Sequence, residues 1–164
     1  MNILAVDPGS KLGWALLVGE VLESGVEDFS LKRGESPGAR YLRFRRWLAD
    51  TDELAEKLTG ARIALIVYEQ AHHRGGFSTE VLVGFTTRLQ EHAAAAAKCE
   101  CVAVHSGTLK KFATGRGNAQ KPEMMDAATQ FWGVIPKDDN HADALCLLAW
   151  GRENYGTKPA AEEA

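Results

Sequence analysis

The chain has 164 residues, of which 45% are hydrophobic and 25% charged, and its net charge is −3. That length gives a single domain enough material for a real core. No stretch reaches the roughly 18 apolar residues of a membrane span, and the overall acidity argues against a uniformly basic nucleic-acid binder. The opening stretch "MNILAVD" reads as a strand over residues 2–7, without the basic region and cleavage site of a secretory signal. Two further strands, 13–18 and 21–29, follow with little between them and predict an antiparallel meander. Apolar residues at helical spacing (Tyr41, Leu42, Trp47, Leu48, Leu54, Leu58) predict a helix over about 38–58, stopped near Gly60.

"RIALIVYE" (62–69) predicts a buried strand, and Ser78 or Thr79 can cap the helix that runs on to Lys98. "CECVAV" (99–104) alternates as a strand. Pro122 suits the first turn of a helix ending near Gly133, and "DNHADALCLLAWGREN" makes the last helix. The tail from residue 156 reads as disordered, leaving a domain over 1–155. The order predicts an α/β fold: a mixed five-stranded sheet whose first three strands are antiparallel, with strands 1, 4 and 5 parallel by the right-handed crossover rule. Three cysteines, an odd number without metal-ligand spacing, fit a reduced, cytoplasmic protein.

Acids recur where core residues are expected. Asp7 and Glu69 end the two strands predicted to be parallel neighbours, at the carboxyl edge where open α/β sheets bind ligands. Asp139 and Asp143, four apart, share a face of the last helix. A helix cap accounts for Asp138 or Asp139, but not for Asp143 inside the helix. Taken singly, Asp-Pro-Gly is a common turn, Glu69 could pair with Arg74, and Asp143 could be a hydrogen-bonded core acid. Taken together, clustered carboxylates repel and raise one another's pKa unless a cation joins them. Oxygen ligands suit magnesium or manganese, and two such ions about 3.5–4 Å apart are the usual device for phosphodiester cleavage.

Charge is segregated. Residues 105–121 carry Lys110, Lys111, Arg116 and Lys121 without an acid, and residues 40–46 carry four arginines. The first segment reads as phosphate-binding, with Gly115 and Gly117 letting backbone amides approach. For "RYLRFRRW" a solvated helix face is the stronger reading. The loop "EQAHHRGGFSTE" after Glu69 holds His72, His73, Arg74 and Phe77. It could stack on or contact nucleic acid, bind zinc, or be an ordinary surface loop.

The wording of "ILAVDPGSKLGWALL", "ALIVYEQAHHRGG", "TLKKFATGRGNAQKPEMM" and "HADALCLL" resembles the RuvC family of Holliday junction resolvases, within the RNase H-like (retroviral integrase) superfamily, over nearly the whole chain to Trp150. The resemblance implies an RNase H-like nuclease domain that cuts four-way DNA junctions with divalent metal, two magnesium ions (Mg2+) per site with manganese (Mn2+) as a substitute. It assigns metal binding to Asp7, Glu69 and Asp143, and DNA contact to Lys110 and Lys121. It also implies a homodimer, because a junction has two-fold symmetry and paired cuts need two sites. The helix with Gly84 and Ala93–Ala97 could supply that interface or pack on the sheet. One departure stands out: three residues before the last Asp, the family has Asp or His, where this chain has Asn140. Charge favours Asp139 as the fourth ligand over Asn140 or His141, as in shorter, phage-type members. Runner-up readings are an RNA-processing nuclease of the YqgF type and a non-catalytic junction binder. An actin-like ATPase needs two such domains.

Overall fold

Every inward position of the first strand is apolar on both faces, so a layer must cover each side of the sheet. The structure, a computed structural model, describes residues 1–70 and 77–156. The first three strands, β1 (Ile3–Asp7), β2 (Lys11–Val18) and β3 (Val21–Asp28), form the antiparallel meander. Helix α1 (Ala39–Thr59) leads to β4 (Leu65–Glu69), and α2 (Phe77–Ala95) to β5 (Glu100–Val104). Three helices finish the described chain: α3 (Ser106–Thr114), α4 (Lys121–Trp132) and α5 (Asp139–Tyr155). The sheet order is β3-β2-β1-β4-β5, with β1 parallel to β4 and β4 to β5, as the crossover rule predicts.

Alternation sorts the strands between two cores. Leu4, Val6, Leu12 and Leu16 face α1 and α2, where Phe44, Leu48, Phe85 and Leu89 close the layer. Ile3, Ala5, Ala15 and Leu17 face α5, with α3 and α4 behind it. Within α2, Val81, Phe85, Leu89 and Ala93 form a stripe at a four-residue interval that is buried inside the chain. Gly84 lies against the Tyr41 ring, which occupies the space of any side chain there. No helix of the described residues is long and apolar enough to cross a membrane, and all three cysteines are free.

Three differences from the sequence reading have physical causes. The strand expected from residue 62 begins at Leu65, because Arg62 and Ile63 serve Asp52: its buried carboxylate accepts the Ile63 N–H at 2.8 Å and lies 3.4 Å from Arg62 Nη1. The segment expected as a glycine-containing basic stretch contains a helix, α3. His105 caps it by accepting the Gly107 N–H, and left-handed Gly115 ends it. Arg40, read as part of a solvated face, is buried and donates to Ser10 Oγ at 3.2 Å. The expected disordered tail, apart from Gly156, lies outside the described residues, as does the loop at 71–76.

The close approach that sets the site is between β2 and α5. Gly13 pairs with Asp7 across the sheet, and a Cβ on it would sit 2.0 Å from the Asn140 carbonyl oxygen. Gly13→Ala must therefore push the start of α5 off the sheet. We expect it to cost about 1–3 kcal/mol or more, as overpacking does, read as a lower urea midpoint of unfolding.

Candidate active site

Asp7 and Glu69 each follow the last register pair of β1 and β4, Val6 with Tyr68, so the two acids emerge side by side at the carboxyl edge. Asp143 comes to them from the second turn of α5. One carboxylate oxygen from each of Asp7, Glu69 and Asp143 lies within 4.8 Å of the others, and all three residues are half-buried. Burial pushes the Asp7 carboxyl well above its ordinary range, and Glu69, Asp143 and Asp139 push it further. Burial, then Glu69 and Asp139, push Asp143 up to about 7, against the opposing pull of Lys110 and Lys121. Protons resist leaving because a buried carboxylate loses its hydration and its neighbours carry the same charge. An all-carboxylate set of this size fits a hard divalent ion, not zinc.

The first turn of α5 separates the four residues that the sequence left as rivals. Asp138 is the helix cap: its Oδ1 accepts the His141 N–H at 2.8 Å. Asp139 stands outside the three-carboxylate cluster, its Oδ2 3.0 Å from Lys121 Nζ, though its charge reaches both Asp7 and Asp143. Asn140 Nδ2 donates to the Lys11 carbonyl at 3.1 Å and ties the helix to β2. His141 is 2% exposed and turned away from the acids. Its Nδ1 accepts the Lys137 N–H at 3.0 Å, so Nε2 carries the proton toward Ser24 Oγ at 2.9 Å. Burial, reinforced by Lys137, lowers its pKa, and it remains a neutral lock on β3.

The basic residues divide as well. Lys110 on α3 and Lys121 at the start of α4 both bear on Asp143. Lys111 is exposed one residue further along, and Arg116 is held by Glu123 at 2.9 Å. Gly115 cannot offer its amide to a phosphate, as its composition suggested, because that N–H already donates to the Lys111 carbonyl. His72, His73 and Arg74 lie outside the described residues, as does the side chain of Phe77. Sequence reasoning missed the tethering bonds of Asn140 and His141. The close approach permitted by Gly13 was the one local signal for them.

No family model matches the chain, and no curated protein does. Among solved structures it is similar to Thermus thermophilus RuvC, at 20% identity over 90% of both chains, with a TM-score of 0.66. Against T. thermophilus RuvC in complex with Holliday junction substrate the TM-score is 0.70, again at 20% identity and 90% coverage of both chains. The yeast mitochondrial Holliday junction resolvase Ydc2 aligns at 10% identity over 88% of this chain and 75% of its own, with a TM-score of 0.56. The chain therefore has the RuvC-like, RNase H-like α/β fold that its sequence motifs predicted.

A carboxyl group whose pKa rises on folding binds protons more tightly folded than unfolded. Its contribution to stability is present at low pH and is lost as pH rises through the folded value. For Asp143 the window runs from its ordinary range near 3.8 to about 7. In chelator, Asp143→Asn should stabilise the protein at pH 8 by about 1–3 kcal/mol and much less at pH 4. Magnesium should raise the melting temperature of the wild type more than that of the variant. Thermal unfolding at the two pH values, with and without magnesium, checks both.

Proposed function

We propose that this chain is a structure-selective endonuclease that resolves four-way DNA junctions by divalent-metal-dependent hydrolysis. The observation that carries the reading is the row of Asp7, Glu69 and Asp143 at the carboxyl edge of a RuvC-like sheet, with Lys110 and Lys121 beside it. A half-buried acid triad alone would suit many metal sites. Cations placed next to it without being spent inside it supply counter-charge for a phosphodiester.

The three carboxylates would hold two magnesium ions, with manganese able to replace them, and Asp139 would join them as the fourth ligand. When bound, the ions supply an activated water and neutralise charge on the leaving oxygen. The rest of the chemistry belongs to the chain. Asp143, near pH 7 half-protonated, gives up its proton as the site loads, so loading strengthens with pH. Lys121 is 79% exposed at its side chain and leaves Asp139 to meet a phosphate, which frees the Asp139 carboxylate for the site. Lys110 remains beside Asp143 and positions the backbone to be cut. His72, His73 and Arg74, on the loop after Glu69, would contact the junction near its crossover, with Lys111 and Arg116 along the flanking backbone. Junction symmetry calls for a second copy of the chain so that two cuts are paired.

The test is cleavage of a four-way junction, a duplex and a structured RNA in magnesium. Junction cleavage should dominate, and preferred cutting of the RNA would overturn the reading. Asp7→Asn keeps the shape of a ligand and removes its charge. It should lose more cleavage than the roughly 10–100-fold that an outer-shell change costs, while gel-shift affinity for the junction stays at the wild-type level.

The fourth ligand has its own test. Asp139→Asn should raise the magnesium concentration for half-maximal cleavage, whereas Asn140→Ala, which cuts only the tether to Lys11, should lower thermal stability and leave that midpoint in place. A normal magnesium titration in Asp139→Asn would reduce Asp139 to a partner for Lys121.

A further inference from the structure

Residues 30–49 contain six cations and one acid in a chain whose net charge is −3. The fold puts this segment at the catalytic end of the sheet. Phe29 N–H donates to the Ser10 carbonyl at 2.7 Å and Arg40 Nη1 to Ser10 Oγ at 3.2 Å, three residues beyond Asp7. Helix α1 thus starts beside the carboxylate row and runs away from it, with Arg46 about 9 Å further along the axis than Arg40. It lies on the face of the sheet opposite α3 and α4, which carry Lys110 and Lys121. The acid row at the sheet edge therefore lies between two basic surfaces.

The acids near this segment are spent locally. Glu35 takes the Arg43 guanidinium and accepts the Lys32 N–H at 2.6 Å. Asp28 accepts the Ser30 N–H at 2.9 Å and sits near Lys11 and Arg43. Lys32, Arg33, Arg45 and Arg46 are not so occupied: none of them makes a salt bridge among the described residues, and Arg33, Arg45 and Arg46 are exposed. The surface is concave. A cleft of about 390 Å³ is lined by Lys32, Ala39, Leu42, Arg43 and Arg46, with Glu35 at its wall. Isolated solvated arginines need no such cleft. Duplex DNA carries a charge every 1.7 Å or so of its axis and rewards a row of unpaired cations.

We propose that the loop before α1 and the first two turns of α1 form a second phosphate-contacting surface, which grips the backbone of a duplex arm leaving the site on the β2–β3 side. This rests on the nuclease reading above and adds to it a footprint that extends across the sheet edge. Lys110 and Lys121 hold the strand to be cut. Lys32 and Arg46 of the cleft, with Arg33 at its approach, hold the arm.

The experiment is the salt dependence of junction binding, followed by fluorescence anisotropy on the full chain carrying Asp7→Asn so that nothing is cut. Removing two phosphate contacts with Arg33→Gln and Arg46→Gln should flatten the log–log salt slope by about 1.8, and Lys121→Ala by about 0.9, additively when combined. If the double variant keeps the parental slope while Lys121→Ala lowers it, this surface is a solvated face and the nuclease reading stands. If the parent shows no salt-dependent affinity for the junction, both fall. If the double variant instead changes the sedimentation coefficient of the free protein, the face is a contact between copies of the chain and the proposal is overturned.

Discussion

Repulsion among Asp7, Glu69 and Asp143 is the constraint on which the rest of the architecture turns. Burial first, and then the approach of their oxygens to within 4.8 Å, raises the pKa of Asp7 and Asp143 and works against folding at neutral pH. Something must hold the third acid against the first two. Packing does it: α5 lies across β1 and β2 with Ala142, Ala144, Leu145 and Leu148 fully buried. Burial of that many apolar groups, at about 25 cal/mol per Å², outweighs a few kcal/mol of electrostatic cost.

The first turn of α5 shows how neighbouring residues share that task. Asp138 caps the helix, Asn140 ties it to the backbone of β2, and His141 reaches under the sheet to Ser24 on β3. Each uses a different hydrogen-bonding direction, and each is spent on a partner outside the acid row. Only Asp143 is left to face it, with Asp139 on its flank against Lys121. Gly13 makes the arrangement possible, since the helix backbone occupies the space of its missing side chain.

Charge is distributed with the same economy. The acid row sits at the sheet edge, basic residues on α3 and α4 bear directly on Asp143, and the arginines of α1 lie on the other face. A net charge of −3 conceals this, because sequence totals do not record which side of a sheet a residue occupies. Arg40 is the sharpest instance. In sequence it belongs to a run of surface arginines, yet it is buried and braces the turn that follows Asp7.

The sequence alone carried the sheet. Strand alternation, the short connections of the meander and the handedness of crossovers are local or nearly universal rules, so the direction of all five strands and the pairing of β1 with β4 were legible, and so was the meeting of Asp7 with Glu69; the edge position of β5 was not. The sequence also put Asp143 inside the last helix beside core residues, on one face with Asp139. Tertiary structure decided what periodicity cannot. Helix α3 was hidden in a basic, glycine-containing stretch, because its cap is a histidine and its 9 residues give the apolar period of Leu109, Phe112 and Ala113 little more than two turns in which to show. The roles of Asp138, Asp139, Asn140 and His141 were undetermined, because all four lie within one helical turn. Which of them faces a ligand, a lysine, a strand or a core depends on the elements that approach from outside that turn.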